Sequence, residues 1–390
     1  MLKKNIYVDN NATTAVDPEV VDAMMPFLTD FYGNPSSIHT FGGQVAKHIE
    51  NARNSLAALL KCESDELFFT SCGTESDSSA IFSAVQNCPT RRKIVTTKVE
   101  HPAILNVCRH LRTLGYNVSE IPVDRAGKIN LEVAEEMIDS DTAIVSVMWA
   151  NNETGNIYPI KELAEISKAK GAIFHTDAVQ SVGKIPFDLK SLKVDMLSLS
   201  GHKLHAPKGI GALYVKKGCR FKPFMIGGHQ ESGKRAGTEN VAGIVALGKA
   251  AELSEKYMNF ENNDVKKLRD YLEKAIIENI PKSQINGDVN NRVPNTTNIS
   301  FEYIEGEAIL LLLDRAGIAA SSGSACTTGS LEPSHVLRAM GVPYTLAHGS
   351  LRLSLSRYNT KEEMDKIIEV LVPTIAKLRE ISPFWAENNR

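Results

Sequence analysis

No apolar run in this chain is long enough to cross a bilayer. The longest, AILLLL at 308–313, falls far short of the roughly 20 residues a spanning helix needs. The opening stretch MLKKNIYVDNNATT has no apolar core, so no secretory signal is expected there. An excess of one charge is also missing. Lys plus Arg number 44 and Asp plus Glu 46, a net charge of −2, which excludes a global field that would recruit nucleic acid or an anionic membrane. The six cysteines (Cys62, Cys72, Cys88, Cys108, Cys219, Cys326) form no CxxC pair and no Cys/His cluster with zinc spacing. They read as reduced thiols of a cytoplasmic protein, five of them packing in or beside helices and strands. Internal repeats and low-complexity tracts are absent, and solenoids with them.

What is present is alternation. KIVTTKVEH (93–101), TAIVSVMW (142–149), AIFHTD (172–177), VDMLSLS (194–200) and IGALYV (210–215) read as buried strands. Between them lie amphipathic helices such as PAILNVCRHLRTLG (102–115) and PIKELAEISKAKG (159–171), the first punctuated by an initial Pro and a terminal Gly. Buried strands alternating with helices predict a mostly parallel sheet with helices on both faces. After a long polar helix near 255–280 the pattern restarts: NISFEYI, EGEAILLLLDRAG, EPSHVLRAM, SLRLSLSRY and a final helix from Lys361. That predicts a second, smaller α/β domain with a hinge near 255–265, within the size prior for 390 residues.

Ligands of parallel sheets bind beyond the carboxyl ends of the strands, and there the polar residues gather. His101 follows one strand. Asn151, Asn152, Glu153 and Thr154 follow the next, then Asp177 and Gln180, then Ser200-Gly-His202-Lys203. SCGTES at 71–76 opens a helix whose N–H groups suit a phosphate. A lone lysine in a turn is ordinarily a surface lysine, and a lone Asp after a strand is ordinarily a helix cap. Here Lys203 at a sheet mouth, Asp177, the Gly73–Thr74 turn and His101 together match what pyridoxal phosphate (PLP) asks of a protein. It needs an amine for its aldehyde, a carboxylate for its ring nitrogen, a phosphate cradle and something flat over the ring.

Cys326 sits apart, in AASSGSACTTGSLEP (319–333). Such Ser/Gly-rich composition packs no core and suits a loop that carries a thiol from place to place. One decoy is GHQESGKR (228–235), which reads G-x-x-x-x-G-K but has Arg235 where a nucleotide-binding loop needs the Mg²⁺-holding Ser or Thr.

These motifs resemble the NifS-type cysteine desulfurases, PLP enzymes that take sulfur from L-cysteine. The resemblance runs nearly end to end. It is carried by YVDNNATT (7–14), YGNPSSIH (32–39), FTSCGTESD (69–77), EHPA (100–103), WANNETG (149–155), HTDAVQ (175–180), SLSGHKLHAPKGIG (198–211), RAGTEN (235–240), SSGSACTTGSLEPSHV (321–336) and LRLSLSRY (351–358). Several of these wordings are closer to the nitrogen-fixation branch. The resemblance implies PLP fold type I, similar to aspartate aminotransferase. A large domain (15–260) would hold a mostly parallel seven-stranded sheet. A small domain (1–14 and 261–390) would carry the cysteine loop. It implies a cytoplasmic homodimer that passes sulfur to an iron–sulfur scaffold protein, for nitrogenase cluster assembly.

Residue by residue, Lys203 matches the lysine that bonds the cofactor, His101 the ring-stacking histidine and Asp177 the ring-nitrogen carboxylate. Asn152 and Gln180 match ring contacts. Gly73, Thr74, Ser200 and His202 match phosphate contacts, with Thr238 donated from the neighbouring subunit. Asn34 and Arg352 match the pair that holds the substrate carboxylate. Pattern alone leaves Arg352 equally as an exposed residue of a strand whose Leu351, Leu353 and Leu355 face inward. Cys326 matches the persulfide-forming nucleophile and a possible transient iron–sulfur ligand. The rivals are a housekeeping or tRNA-thiolation desulfurase, a selenocysteine lyase, an aminotransferase (which needs no such thiol), and a scaffold that has lost catalysis, which would have eroded Lys203, Asp177 or His101.

Overall fold

The computed structural model describes residues 5–322 and 332–388. Its centre is a seven-stranded sheet: β1 Leu67–Thr70, β2 Lys93–Thr97, β3 Asn117–Ile121, β4 Thr142–Ser146, β5 Ile173–Asp177, β6 Met196–Ser200 and β7 Gly211–Val215. Their spatial order is β1-β7-β6-β5-β4-β2-β3. β2 to β6 are mutually parallel, while β7 runs antiparallel to both β6 and β1. The central strands are apolar on both faces because helices cover both faces. Val95, Val145, Phe174 and Leu197 are buried in one hydrophobic cluster, and Ile94, Ile144, Met196 and Leu213 in another.

Two expected strands end early. The 93–101 run leaves the sheet after Thr97, and the 142–149 run after Ser146. The residues beyond turn outward to form the rim of the site, although Trp149 N–H still bonds the Asp177 carbonyl at 2.8 Å. β1 and β3 were not expected. NVSEI (β3) is an edge strand whose polar residues face out, so it lacks the apolar run that marks the centre. The helices Thr40–Leu60 and Val241–Phe260 pack closely where Gly248 meets Ala52. A Cβ on Gly248 would stand 2.5 Å from the Ala52 Cα.

A third apolar cluster surrounds a three-stranded antiparallel sheet of Ser283–Ile285, Thr296–Phe301 and Ser350–Ser354. The helices Lys266–Asn279, Gly306–Arg315 and Lys361–Ile381 cover it, contributing Leu272, Ile276, Ile309, Leu313, Ile367 and Leu371. The stretch where the sequence suggests a hinge is unbroken helix. Val241–Phe260 continues through a π-helical segment, Glu261–Val265, into Lys266–Asn279.

The first residues join the two regions. Ile6–Tyr7 pairs with Ile318–Ala319, and Asn10 N–H bonds Ser354 O at 3.1 Å. Residues 9–14 therefore lie between the carboxyl rim of the large sheet and the strand holding Arg352. Among the described residues no helix is long and apolar enough to cross a membrane.

Candidate active site

β6, β5, β4 and β2 are parallel neighbours, so their carboxyl ends lie along one edge. β1 shares their direction, because it and β6 both oppose β7. This edge gathers His101, Asn152, Asp177, Ser200 and the Gly73–Thr74 helix start. Ser200 ends β6, and the 3₁₀ turn Gly201–Lys203 follows at once. Gly73 is needed for close approach. A Cβ there would stand 2.9 Å from Val179 Cγ2 and 3.5 Å from Ser200 Cβ, so a side chain would push the phosphate-type turn off β5 and β6.

Lys203 reaches the N-terminal segment, where its Nζ donates to Asn11 O and Ala12 O, each at 2.6 Å. Gln180 Nε2 donates to the same Asn11 carbonyl at 2.9 Å. His101 caps the helix Pro102–Thr113, its Nδ1 accepting from Ala103 N–H at 3.1 Å. That bond leaves the neutral ring's proton on Nε2. Burial first, then Lys203 and His335, hold His101 at about 4, so it is an uncharged flat ring near neutral pH. His202, bonded through Nδ1 to Thr13 Oγ1 at 3.1 Å, is pulled to about 4 by burial and then by Lys203.

Burial raises the Asp177 carboxyl, whose Oδ1 accepts from Val179 N–H at 2.9 Å. Asp77 behind it is raised further, by burial and by Asp177's charge. His175, fully buried between Ser146 Oγ and Ser198 Oγ at 2.9 Å each, is held to about 3 by burial.

Beside His101, Glu100 is fully buried, accepting from Thr97 Oγ1 at 2.7 Å and from Met148 N–H at 3.0 Å. Burial pushes it up to about 8. Its carboxyl ionises near 4.5 in the unfolded chain and near 8 in the fold, so its contribution to stability is full at acid pH and lost as pH rises through about 8. Glu100→Gln removes that titration. Its melting temperature relative to wild type is expected to rise between pH 5 and pH 8, by up to ~1 kcal/mol of stability per pH unit. Parallel melts with the same offset at both pH values would refute this.

These groups fit PLP. Asp177 is buried with no cationic side chain in ion-pair contact among the described residues, and a protonated ring nitrogen would offset its desolvation. Ser200 Oγ is buried without a hydrogen-bond partner among the described residues, as a phosphate contact would be.

Arg352 is not on an exposed face. It is 2% exposed, with Nη1 donating to Asn152 O at 3.0 Å and Nη2 paired to Asp9 at 2.7 Å. Its buried Nε has no partner among the described residues. The structure does not bring Asn34 to it. Asn34 is exposed on a turn that uses its Oδ1 to accept from Ser36 N–H, and Asp9 and Asn152 hold the guanidinium instead. Thr238 is exposed as well, and Pro35 and Ser36, beside Asn34, line one open groove with Glu231, Ser232 and Glu239.

Cys326 lies outside the described residues. The segment that carries it leaves and rejoins the structure at the site. Ser321 exchanges backbone hydrogen bonds with Arg352. On the far side, the Ser334 hydroxyl bonds the buried Glu153 carboxylate, and His335 Nε2 donates to Glu100 O at 2.9 Å. The other five cysteines are free thiols, Cys62 and Cys108 buried and the rest half-buried. Among the described residues no cluster of His, Cys, Asp and Glu could hold a metal. Sequence reasoning assigned no role to Asp9, Asn11, Glu100, Lys184 or His335. The first two lie in YVDNNATT, which follows no strand of the large sheet and so escapes a search of strand ends.

The family model described as aminotransferase class-V matches residues 6–367. Cysteine desulfurase NifS of Azotobacter vinelandii is 57% identical over 98% of this chain and 96% of its own. Cysteine desulfurase 1 of Trichormus variabilis is 59% identical over 97% and 95%. A solved structure of a NifS-like protein superposes with a TM-score of 0.90 at 38% identity, covering 96% of this chain and all of the other.

Proposed function

The chain belongs to the class-V aminotransferase family and is a PLP-dependent cysteine desulfurase, and we propose that Cys326 receives the sulfur as a persulfide. The observation that carries this reading is the convergence on one sheet edge of an amine (Lys203), a buried carboxyl with no cation in ion-pair contact among the described residues (Asp177) and a neutral ring (His101). The Lys203 amine, Asp177 and the Gly73–Thr74 turn would hold PLP, which would supply an electron sink that acidifies the substrate's Cα proton and loosens its carbon–sulfur bond.

The protein's own groups do the rest. Arg352 takes the substrate carboxylate, a planar fork meeting a planar anion. Lys203 Nζ, released as an amine once the substrate's amine has taken its place, removes the Cα proton, and neutral His101 covers the ring with Nε2–H available as a donor. The Cys326 thiolate attacks the substrate sulfur. The sulfur–sulfur bond forms as the Cβ–sulfur bond breaks, the electron pair goes to Cβ, which takes up a proton, and Cα regains the proton it lost, giving L-alanine. L-cysteine and the Cys326 thiol thus become L-alanine and a Cys326 persulfide, with no external oxidant.

Further assignments belong to the same proposal. Residues 15–260 form the cofactor domain, and 1–14 with 261–390 the small domain. Asn152, Gln180, Ser200, His202 and Thr74 contact the cofactor. The active form is a cytoplasmic homodimer in which Thr238 reaches the neighbouring site. The exposed apolar side chains of Tyr32, Ile38, Phe224, Met225 and Ile226 support this, Ile226 being 88% exposed. The acceptor is an iron–sulfur scaffold protein serving nitrogenase, and in that complex Cys326 is a candidate transient cluster ligand.

The test is stoichiometry. Purified protein with PLP, L-cysteine and a thiol reductant should release alanine and sulfide in equal amounts. Alanine without sulfide, or no turnover except with selenocysteine, would contradict the assignment. Arg352→Gln is expected to raise KM for L-cysteine roughly 10- to 100-fold, as loss of a charge-assisted hydrogen bond implies. Steady-state kinetics showing an unchanged KM would remove Arg352 from substrate binding.

A further inference from the structure

Lys184 is a buried lysine that the reaction does not use. It is 7% exposed, and its Nζ donates to Gln180 Oε1 at 2.5 Å and to Asn11 Oδ1 at 3.1 Å. A buried lysine is costly unless its polar head is bonded, so its presence behind the site asks for a reason. We propose that Lys184 is a positioning residue: through Gln180 and Asn11 it fixes which end of the Gln180 amide faces the cofactor ring. The proposal rests on the reading that Gln180 contacts the ring.

The two ends of the Gln180 amide are set independently. Its oxygen meets the Lys184 nitrogen, which brings hydrogens. Its nitrogen meets the Asn11 carbonyl at 2.9 Å, which can only accept. A flipped amide would set N–H against N–H at one end and oxygen against oxygen at the other. Asn11 is fixed in the same way. Its Nδ2 donates to Asn152 O at 3.1 Å and Thr296 Oγ1 at 2.8 Å, which leaves Oδ1 for Lys184 and for Asn295 Nδ2, also at 3.1 Å.

Asn11 O also accepts from Lys203 Nζ, so one residue joins Lys184, Gln180 and the cofactor lysine. Burial, then Lys203's charge, draws Lys184 down to about 7. The arrangement survives that titration, because amine and ammonium both carry the two N–H bonds it uses. The consequence is a Gln180 amide that presents N–H, a donor, toward the anionic oxygen of the cofactor ring.

The test is a double-mutant cycle on PLP affinity, measured by equilibrium dialysis of the full-length holoenzyme, with melting curves alongside. Lys184→Met is expected to weaken PLP binding about tenfold, roughly one charge-assisted hydrogen bond. Gln180→Ala should weaken it at least as much. The double variant should be no weaker than Gln180→Ala alone, because Lys184 acts through Gln180. If the two losses multiply, or if Lys184→Met lowers only the melting temperature, Lys184 is merely structural and the proposal fails. If Gln180→Ala leaves PLP affinity unchanged, the Gln180 reading fails and takes the proposal with it, while the desulfurase assignment stands. Should Lys184→Met not fold, Lys184→Gln, which keeps a donor, should show a smaller loss that again vanishes in the Gln180→Ala background. Persistence of that loss there would overturn the proposal.

Discussion

Cys326→Ala should release sulfide from L-cysteine at least a thousandfold more slowly than wild type, while binding PLP as tightly. The magnitude is that of losing a nucleophile from a covalent mechanism. The specificity of the effect comes from where the segment attaches. Ser321 is tied to Arg352, and Ser334 and His335 to Glu153 and Glu100, so both attachments lie at the site. None of the residues assigned to the cofactor lies within 323–331. Cofactor binding and activity should therefore separate cleanly in this variant. A Cys326→Ala protein that turned over L-cysteine at the wild-type rate would leave the PLP chemistry standing and strip Cys326 of its part.

Lys203→Ala should fail differently. It removes both the cofactor's covalent anchor and the base for the Cα proton, so activity should fall at least a thousandfold, and PLP should leave on dialysis. Lys203→Arg should be as inactive, because guanidinium neither deprotonates nor bonds the aldehyde. Asn11 O and Ala12 O would each lose the Lys203 bond in the alanine variant, Asn11 O keeping the one from Gln180 Nε2, so a modest drop in melting temperature should accompany the loss. Activity comparable to wild type in either variant, with PLP still bound, would assign the proton transfer to another group.

Much of this architecture was legible in the sequence because parallel strands announce themselves. VDMLSLS and AIFHTD open with apolar residues on both faces and end in the polar residues of the site, so the carboxyl edge could be read directly. NVSEI could not, since an edge strand alternates like a loop with a few apolar residues. The helix near 255–280 was legible, but the hinge expected near 255–265 falls inside it. A π segment carries the helix through the polar stretch ENNDV, with Glu261 and Val265 buried.

Within the site, residues at strand ends were found and those on the N-terminal segment were not. Asn11 works through its backbone carbonyl and a buried amide, and neither leaves a chemical signature in sequence. Lys184 left one, four positions from Gln180, but its burial could not be foreseen. Arg352 sat in an alternating strand that suggested exposure. It is buried because Asp9, from the far end of the chain, covers it.

The most direct test of the account is to mix the protein with one equivalent of L-cysteine without reductant, digest it, and weigh the peptide that contains Cys326. The account predicts a gain of one sulfur atom on that peptide, removed by thiol reductant, with an equal amount of alanine in solution. Alanine and free sulfide with no added sulfur on Cys326, or the added sulfur on another of the six cysteines, would contradict it.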